Sequence, residues 1–241
     1  MSLLGKRVLI TGAARRVGRS LALAVARAGA DVVLHFNKSQ SDAESLASEI
    51  DSLGRSAFLL PADLNDPAAV MGLVPRALES GPLDALVNNA AIFEPLNWKN
   101  TRLDDWNRHL MINLTAPFLL SQAFAQTLPG GSSGRIVNLL DWRALRPGVD
   151  HFPYTISKAA LASLTLALAR ALAPLVTVNG IALGAILPPS DGEETDGILK
   201  QVPAGRWARL DEVDQALLFL LEGPAYITGE VIHLDGGRHL V

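Results

Sequence analysis

The sequence predicts an α/β fold: a parallel sheet covered by helices on both faces. Short β-rich runs alternate with longer helical patterns over the whole chain, the signature of right-handed βαβ units. A Gly-containing turn joins the first strand to the first helix. The composition allows one large core: 241 residues, 49% hydrophobic and 19% charged, too apolar for disorder.

The elements follow in order. Val8–Ile10 is the first strand candidate, followed by a helix near Val17–Ala28 and a strand at Val32–Phe36. Ser41-Asp42-Ala43-Glu44 reads as a capping box, and Ala43, Leu46, Ala47, Ile50 and Leu53 form one apolar helical face. Phe58–Leu60 is a strand, and Asp66-Pro67 an N-cap with Pro in the first helical position. Ala85–Asn88 is a strand, a long helix runs from about Leu103 to Thr127, and Ile136–Leu140 is the next strand. Tyr154–Leu172 is helical, Val176–Ile181 a strand, Leu210–Glu222 helical and Val231–Leu234 the last strand. No composition shift marks a second domain, so residues 1–241 are expected to form one. The polar, Gly/Pro-punctuated stretch within about 187–208 is an expected excursion over the site. The run Ala159–Ala169 carries no charge on any face, which predicts a second subunit over its outer side.

Composition also excludes functions. Without Cys there is no disulfide, thiol nucleophile, Cys-bound zinc or iron–sulfur cluster, and no His/Asp/Glu spacing suggests a metal site. A net charge of -3 gives no footprint for nucleic acid or an anionic membrane. Lys6 and Arg7 precede too short an apolar run for a signal peptide, and Ala171–Leu187 is too interrupted to span a membrane. A cytoplasmic protein is expected.

Thr11-Gly12-Ala13-Ala14-Arg15-Arg16-Val17-Gly18 follows the first strand and opens a helix. Gly and Ala let the backbone approach a pyrophosphate, the helix N-terminus offers free N–H groups, and two Arg add phosphate-pairing charge. Asp31 has the spacing of a ribose-binding acid but sits about 17 Å from the C-terminal end of its strand. That end carries Asn37, Lys38 and Ser39, donors and a cation that suit the 2′-phosphate of NADPH over NADH.

The chain has two Tyr and five Lys, and Tyr154 and Lys158 stand four apart on one helical face. A Lys there is expected to lower the phenol pKa toward the working pH, so that Tyr154 can donate a proton while a dihydronicotinamide supplies hydride. Tyr226 is expected to be a packing residue.

Thr11-Gly12…Gly18, Ala62-Asp63-Leu64, Val87-Asn88-Asn89-Ala90, Asn113, Tyr154…Lys158, Val178-Asn179-Gly180-Ile181 and Ile227-Thr228-Gly229…Asp235-Gly236-Gly237 together resemble the short-chain dehydrogenase/reductase family over essentially the full length. The resemblance implies a single Rossmann-type, doubly wound domain with seven parallel strands, usually in a homotetramer. It implies Asp63 near the adenine, Asn89 with Leu64, Ala90, Gly184 and Ile186 at the cofactor, and Asn113 supporting a water relay to Lys158.

The family usually has Gly at Arg16, Gly at Ala91, Ser at Asp141 and Pro at Leu183. Arg16, Asp141, His35-Phe36-Asn37-Lys38-Ser39 and Phe93 look like the pteridine reductase branch, which includes bacterial dihydromonapterin reductases. That resemblance implies a dihydropterin substrate and antifolate inhibitors, with Arg16, Phe93, Asp141 and Tyr154 at the substrate. The chemistry agrees. Ketone reduction builds an alkoxide that a carboxylate repels, whereas C=N reduction builds an amine that needs a proton. Phe93 would stack on the flat bicycle. A ketone reductase and a non-catalytic NADP-binding regulator are the alternatives. Glu193, Glu194 and Asp196 read as a solvated loop face, and His151 as a loop residue near Tyr154.

Overall fold

The computed structural model describes residues 3–187 and 196–241. Seven strands form one all-parallel sheet: β1 Arg7–Ile10, β2 Asp31–Phe36, β3 Ala57–Pro61, β4 Ala85–Asn88, β5 Gly134–Asp141, β6 Val176–Leu183 and β7 Val231–Leu234. Their spatial order is β3-β2-β1-β4-β5-β6-β7. The order reverses between β1 and β4, which opens a crevice at their C-terminal ends. The helices are α1 Arg16–Arg27, α2 Gln40–Ser52, α3 Pro67–Leu78, α4 Leu103–Leu110, α5 Ala116–Thr127, α6 Phe152–Leu172, α7 Asp196–Leu199 and α8 Leu210–Glu222.

Alternate side chains of each strand face opposite layers. Val8 and Ile10 join the core built with Leu21 and Val25 of α1 and Leu217 and Leu220 of α8. Leu9 and Leu86 join the other, with Leu73 of α3 and Leu120 and Phe124 of α5. The predicted doubly wound α/β fold is therefore the observed one.

Two local expectations change. The capping box at Ser41 does not form: α2 already begins at Gln40, with Ser39 as N-cap and no capping bond from its side chain. The Asp66 cap does form, its carboxylate accepting from the Ala68 N–H at 2.9 Å. The long helix at 103–127 is broken by one π-helical turn, Met111–Thr115, between α4 and α5. That turn carries the buried Asn113. Helix α6 has the length and apolarity of a membrane span, and nearly half of it is buried within the protein. Ser163, Leu166, Ala167 and Arg170 remain exposed on its outer face.

Candidate active site

The turn after β1 is tied to its neighbours by Thr11. Its hydroxyl accepts from the N–H groups of Asn89 and Ala90, both at 3.0 Å. The Asn89 amide donates back to the carbonyls of Thr11 at 2.8 Å and Gly12 at 3.1 Å. His35, at the end of β2, accepts from the Gly12 N–H through Nδ1 at 3.1 Å and so donates from Nε2 to the Ala62 carbonyl at 3.2 Å. Burial pulls its pKa down to about 4, so the ring is a neutral strut under the turn.

The glycines leave room that a side chain would fill. A Cβ on Gly18 would collide with the Gly12 carbonyl oxygen, and one on Gly12 would lie 3.0 Å from Ala90 Cα with φ at +63°. This cradle fits a pyrophosphate at the start of α1. Arg16 has φ +51°, a left-handed backbone that favours glycine and costs a long side chain about 1 kcal/mol or more. Such strain persists where the side chain has a use.

Asp141 ends β5 and Tyr154 lies in the first turn of α6. The Tyr154 hydroxyl donates to Asp141 Oδ2 at 3.1 Å. Asp141 Oδ1 accepts from the Arg143 N–H at 2.9 Å and faces the Arg143 guanidinium at 3.6 Å. Arg143 is held in turn by Asp150 at 2.7 Å. Burial disfavours the Arg143 cation, but the hydrogen bond to Asp150 and the charges of Asp141 and Asp150 together outweigh it and raise its pKa. Arg143 likewise overrides the effect of burial on Asp150 and holds that carboxyl at about 2. Burial raises the Tyr154 phenol well above its usual range, and the Asp141 carboxylate pushes the same way. The expected lowering by Lys158 is thus overturned in this geometry. Burial instead lowers Lys158 to about 8, and its ammonium donates to the Leu139 carbonyl at 2.6 Å, 5.8 Å from the Tyr154 ring centre.

Phe93 stacks flat on His151, centroids 3.8 Å apart, and meets the Tyr154 ring edge-on at 4.7 Å. It remains half exposed, unlike a core aromatic. Asn113 donates to the Ile92 carbonyl at 3.0 Å and to Ser157 Oγ at 3.1 Å, and accepts from the Ile92 N–H at 2.9 Å. It thus ties the strand β4 loop to the residue preceding Lys158.

A cleft of about 460 Å³ runs from the glycine turn to Tyr154 and Lys158. Among the predicted residues, Gly12, Arg15, Arg16, Val17, Gly18, Asn37, Asp63, Leu64, Asn89, Ala90, Tyr154 and Lys158 line it. Lys38, Ser39, Phe93, Asn113, Asp141, Gly184 and Ile186 do not: Lys38 is exposed, Ser39 caps α2, Asn113 is buried behind the cleft wall, Phe93 and Asp141 reach the site only through their contacts with Tyr154, and Ile186 is buried in the α1 side of the core. A Cβ on Gly184 would lie 2.5 Å from Asp235 Cα, so that glycine serves a close chain crossing. Asp31 opens β2 and pairs with Arg7 at 3.6 Å, far from the cleft end of its strand.

Sequence reasoning passed over Arg143, Asp42 and the place of His151. Asp42 is a carboxylate close to the cleft, and Arg15 neutralises it at 2.6 Å. His151, with a left-handed backbone, N-caps α6 and covers Phe93. Tyr226 is fully exposed, so the packing role expected for it is wrong. Glu193 and Glu194 lie outside the described residues, as does the Asp196 side chain. No metal-binding group of His, Asp and Glu occurs among the described residues.

Known proteins resemble the chain over nearly its whole length. The chain is 34% identical to gluconate 5-dehydrogenase of Gluconobacter oxydans, covering 98% of this chain and 95% of that one. It is 34% identical to the 3-oxoacyl-(acyl-carrier-protein) reductase FabG of Salmonella typhimurium, over the full length of both. Among solved structures, FolM alternative dihydrofolate reductase 1 from Brucella canis, complexed with NADP, superposes with a TM-score of 0.93. The two are 36% identical, with 100% of this chain and 97% of that chain covered. The short chain dehydrogenase family profile matches residues 6–198, and the chain belongs to that family of oxidoreductases.

Proposed function

We propose that the protein is an NADPH-dependent reductase of a dihydropterin, of the dihydromonapterin, dihydrobiopterin or dihydrofolate type, acting on a ring C=N bond. The observation that carries this reading is the 3.1 Å hydrogen bond from Tyr154 to a carboxylate, Asp141. A carboxylate there opposes an alkoxide and suits a nitrogen that gains a proton. The FolM structure, a named dihydrofolate reductase with NADP bound, supports the same substrate class.

When bound, the cofactor supplies a hydride to the ring carbon. Tyr154 and Asp141 deliver the proton to the ring nitrogen, so one hydride and one proton saturate the bond. Lys158, still cationic near neutrality, stabilises the phenolate left behind and holds the nicotinamide ribose. Asn113 fixes the stretch ahead of Lys158. Gly12, Gly18 and Asn89 shape the phosphate cradle, Asp63 and Leu64 would flank the adenine, and Asn37 would meet the 2′-phosphate. Arg16 spans phosphate and pterin. Phe93 exchanges the His151 ring for the flat bicycle. The outer face of α6, with Leu166 and Ala167 exposed on it, is the proposed seam of a homotetramer.

The second reading is a ketone reductase, favoured by the names of the two sequence relatives. NADPH oxidation measured in parallel with a dihydropterin and with a simple ketone tests the choice. Turnover of the ketone alone rejects the pterin reading.

A further inference from the structure

Beside the cleft lies a second pocket of about 520 Å³, walled by Trp142, Gln201, Pro203, Arg238 and Val241 with Lys200 at its exposed rim. Its wall is built with care. The Ala204 N–H donates to the Gly236 carbonyl at 3.0 Å, fastening the 201–205 strap to the C-terminal turn. Gly236 and Gly237 both have left-handed backbones, and a Cβ on either would press into Val202 or Pro203. Arg238 is more than nine-tenths buried there. Its guanidinium lies 4.2 Å from the Trp142 ring and donates to Gln201 Oε1 at 3.1 Å. Its Nε has no hydrogen-bond partner, and among the described residues no carboxylate lies within ion-pair distance.

A buried cation with a vacant donor is costly unless an anion meets it. The neighbouring Arg143, also over the Trp142 ring at 4.9 Å, is by contrast compensated by Asp150 and Asp141. The pocket therefore offers an indole surface, a guanidinium with one vacant donor and no carboxylate in contact among the described residues, and an outer ammonium. Trp142 directly follows Asp141 in the chain, and the Arg143 guanidinium lies over both the Trp142 ring at 4.9 Å and the Phe93 ring at 5.7 Å, so the pocket adjoins the Asp141 end of the site.

We infer that this pocket receives the acidic aryl tail of the substrate whose reducible ring is held at Asp141, a para-aminobenzoyl-glutamate group with its ring near Trp142 and a carboxylate on Arg238. The ring placement rests on the dihydropterin reading; the tail subsite rests on its own residues. The enzyme is accordingly selective for pteroylglutamate-type substrates over pterins with short neutral side chains.

The test has two arms. In the first, para-aminobenzoyl-L-glutamate alone is titrated calorimetrically into the full-length protein. Wild type binds it, Arg238→Met binds about tenfold more weakly or worse, and Arg238→Lys falls between. Lys200→Gln, at an exposed position that leaves folding intact, weakens binding about threefold. Absence of binding to wild type at millimolar concentration, or equal affinity in all four proteins, overturns the subsite. In the second arm, kcat/KM with NADPH is compared for dihydrofolate and dihydrobiopterin, and their ratio falls about tenfold in Arg238→Met. Reduction of both at a ratio indifferent to Arg238 rejects the subsite and spares the dihydropterin reading. Reduction of neither, with the tail fragment still bound through Arg238, rejects that reading and upholds the subsite.

Discussion

The hydroxyl of Tyr154 donates its hydrogen to the carboxylate of Asp141 at 3.1 Å. The same carboxylate accepts from the Arg143 backbone N–H and faces the Arg143 guanidinium, so it is held from both sides. In the proposed reaction Tyr154 and Asp141 handle the proton, with Arg143 positioning the carboxylate. Removing Arg143's charge with Arg143→Met should loosen Asp141 and lower kcat for a dihydropterin about tenfold or more, with a smaller change in the KM for NADPH. Steady-state kinetics on both substrates checks the split.

The Lys158 ammonium gives a pH signature. Its folded pKa, lowered by burial to about 8, lies below the unfolded value of 10.5. Between these values the unfolded chain binds more protons, so this group's contribution makes stability rise with pH across that window. Catalysis moves the opposite way, because the cation is what supports Tyr154: kcat/KM should fall above about pH 8. Lys158→Met should abolish that basic limb along with most of the activity, as a pH–rate profile will show.

His35 gives an acid signature. It is buried neutral with a pKa of about 4 against 6.5 unfolded. As pH falls from about 6.5 to 4, the unfolded chain gains a proton that the folded chain refuses, and stability is lost. Urea unfolding of wild type and His35→Gln at neutral and acid pH should show a smaller acid loss in the variant, at the cost of a weaker phosphate turn.

The cradle depends on space as much as on charge. Gly18→Ala sets a methyl against the Gly12 carbonyl and the Asn89 amide, so the turn must open. NADPH affinity should fall about tenfold or more while the melting temperature shifts by only a few degrees. Fluorescence titration with NADPH measures the first, calorimetry the second.

What was legible in the sequence, and what was not, has physical causes. Strand–helix alternation and the buried runs Val8–Ile10 and Ala85–Asn88 are strictly local patterns, and they located all seven strands. The Tyr154–Lys158 spacing and the turn at Gly12 are local too, and both line one cleft. The Tyr154–Asp141 bond joins a strand end to a helix and was reachable only through family likeness. The π-helical turn at Met111–Thr115 leaves no periodic signal over five residues. The sign of the Tyr154 shift depends on burial and on Asp141, neither of which shows in a four-residue spacing. Arg143 was missed because its partners, Asp150 and the face of Phe93, converge only in three dimensions.

The most direct measurement is NADPH oxidation by wild type and Asp141→Ser, each with a dihydropterin and with a simple ketone. Wild type should reduce the dihydropterin, and the serine variant should lose about a hundredfold or more of that activity while its ketone turnover holds or rises. Equal dihydropterin turnover by the two proteins would contradict a role for the Asp141 carboxylate in proton delivery.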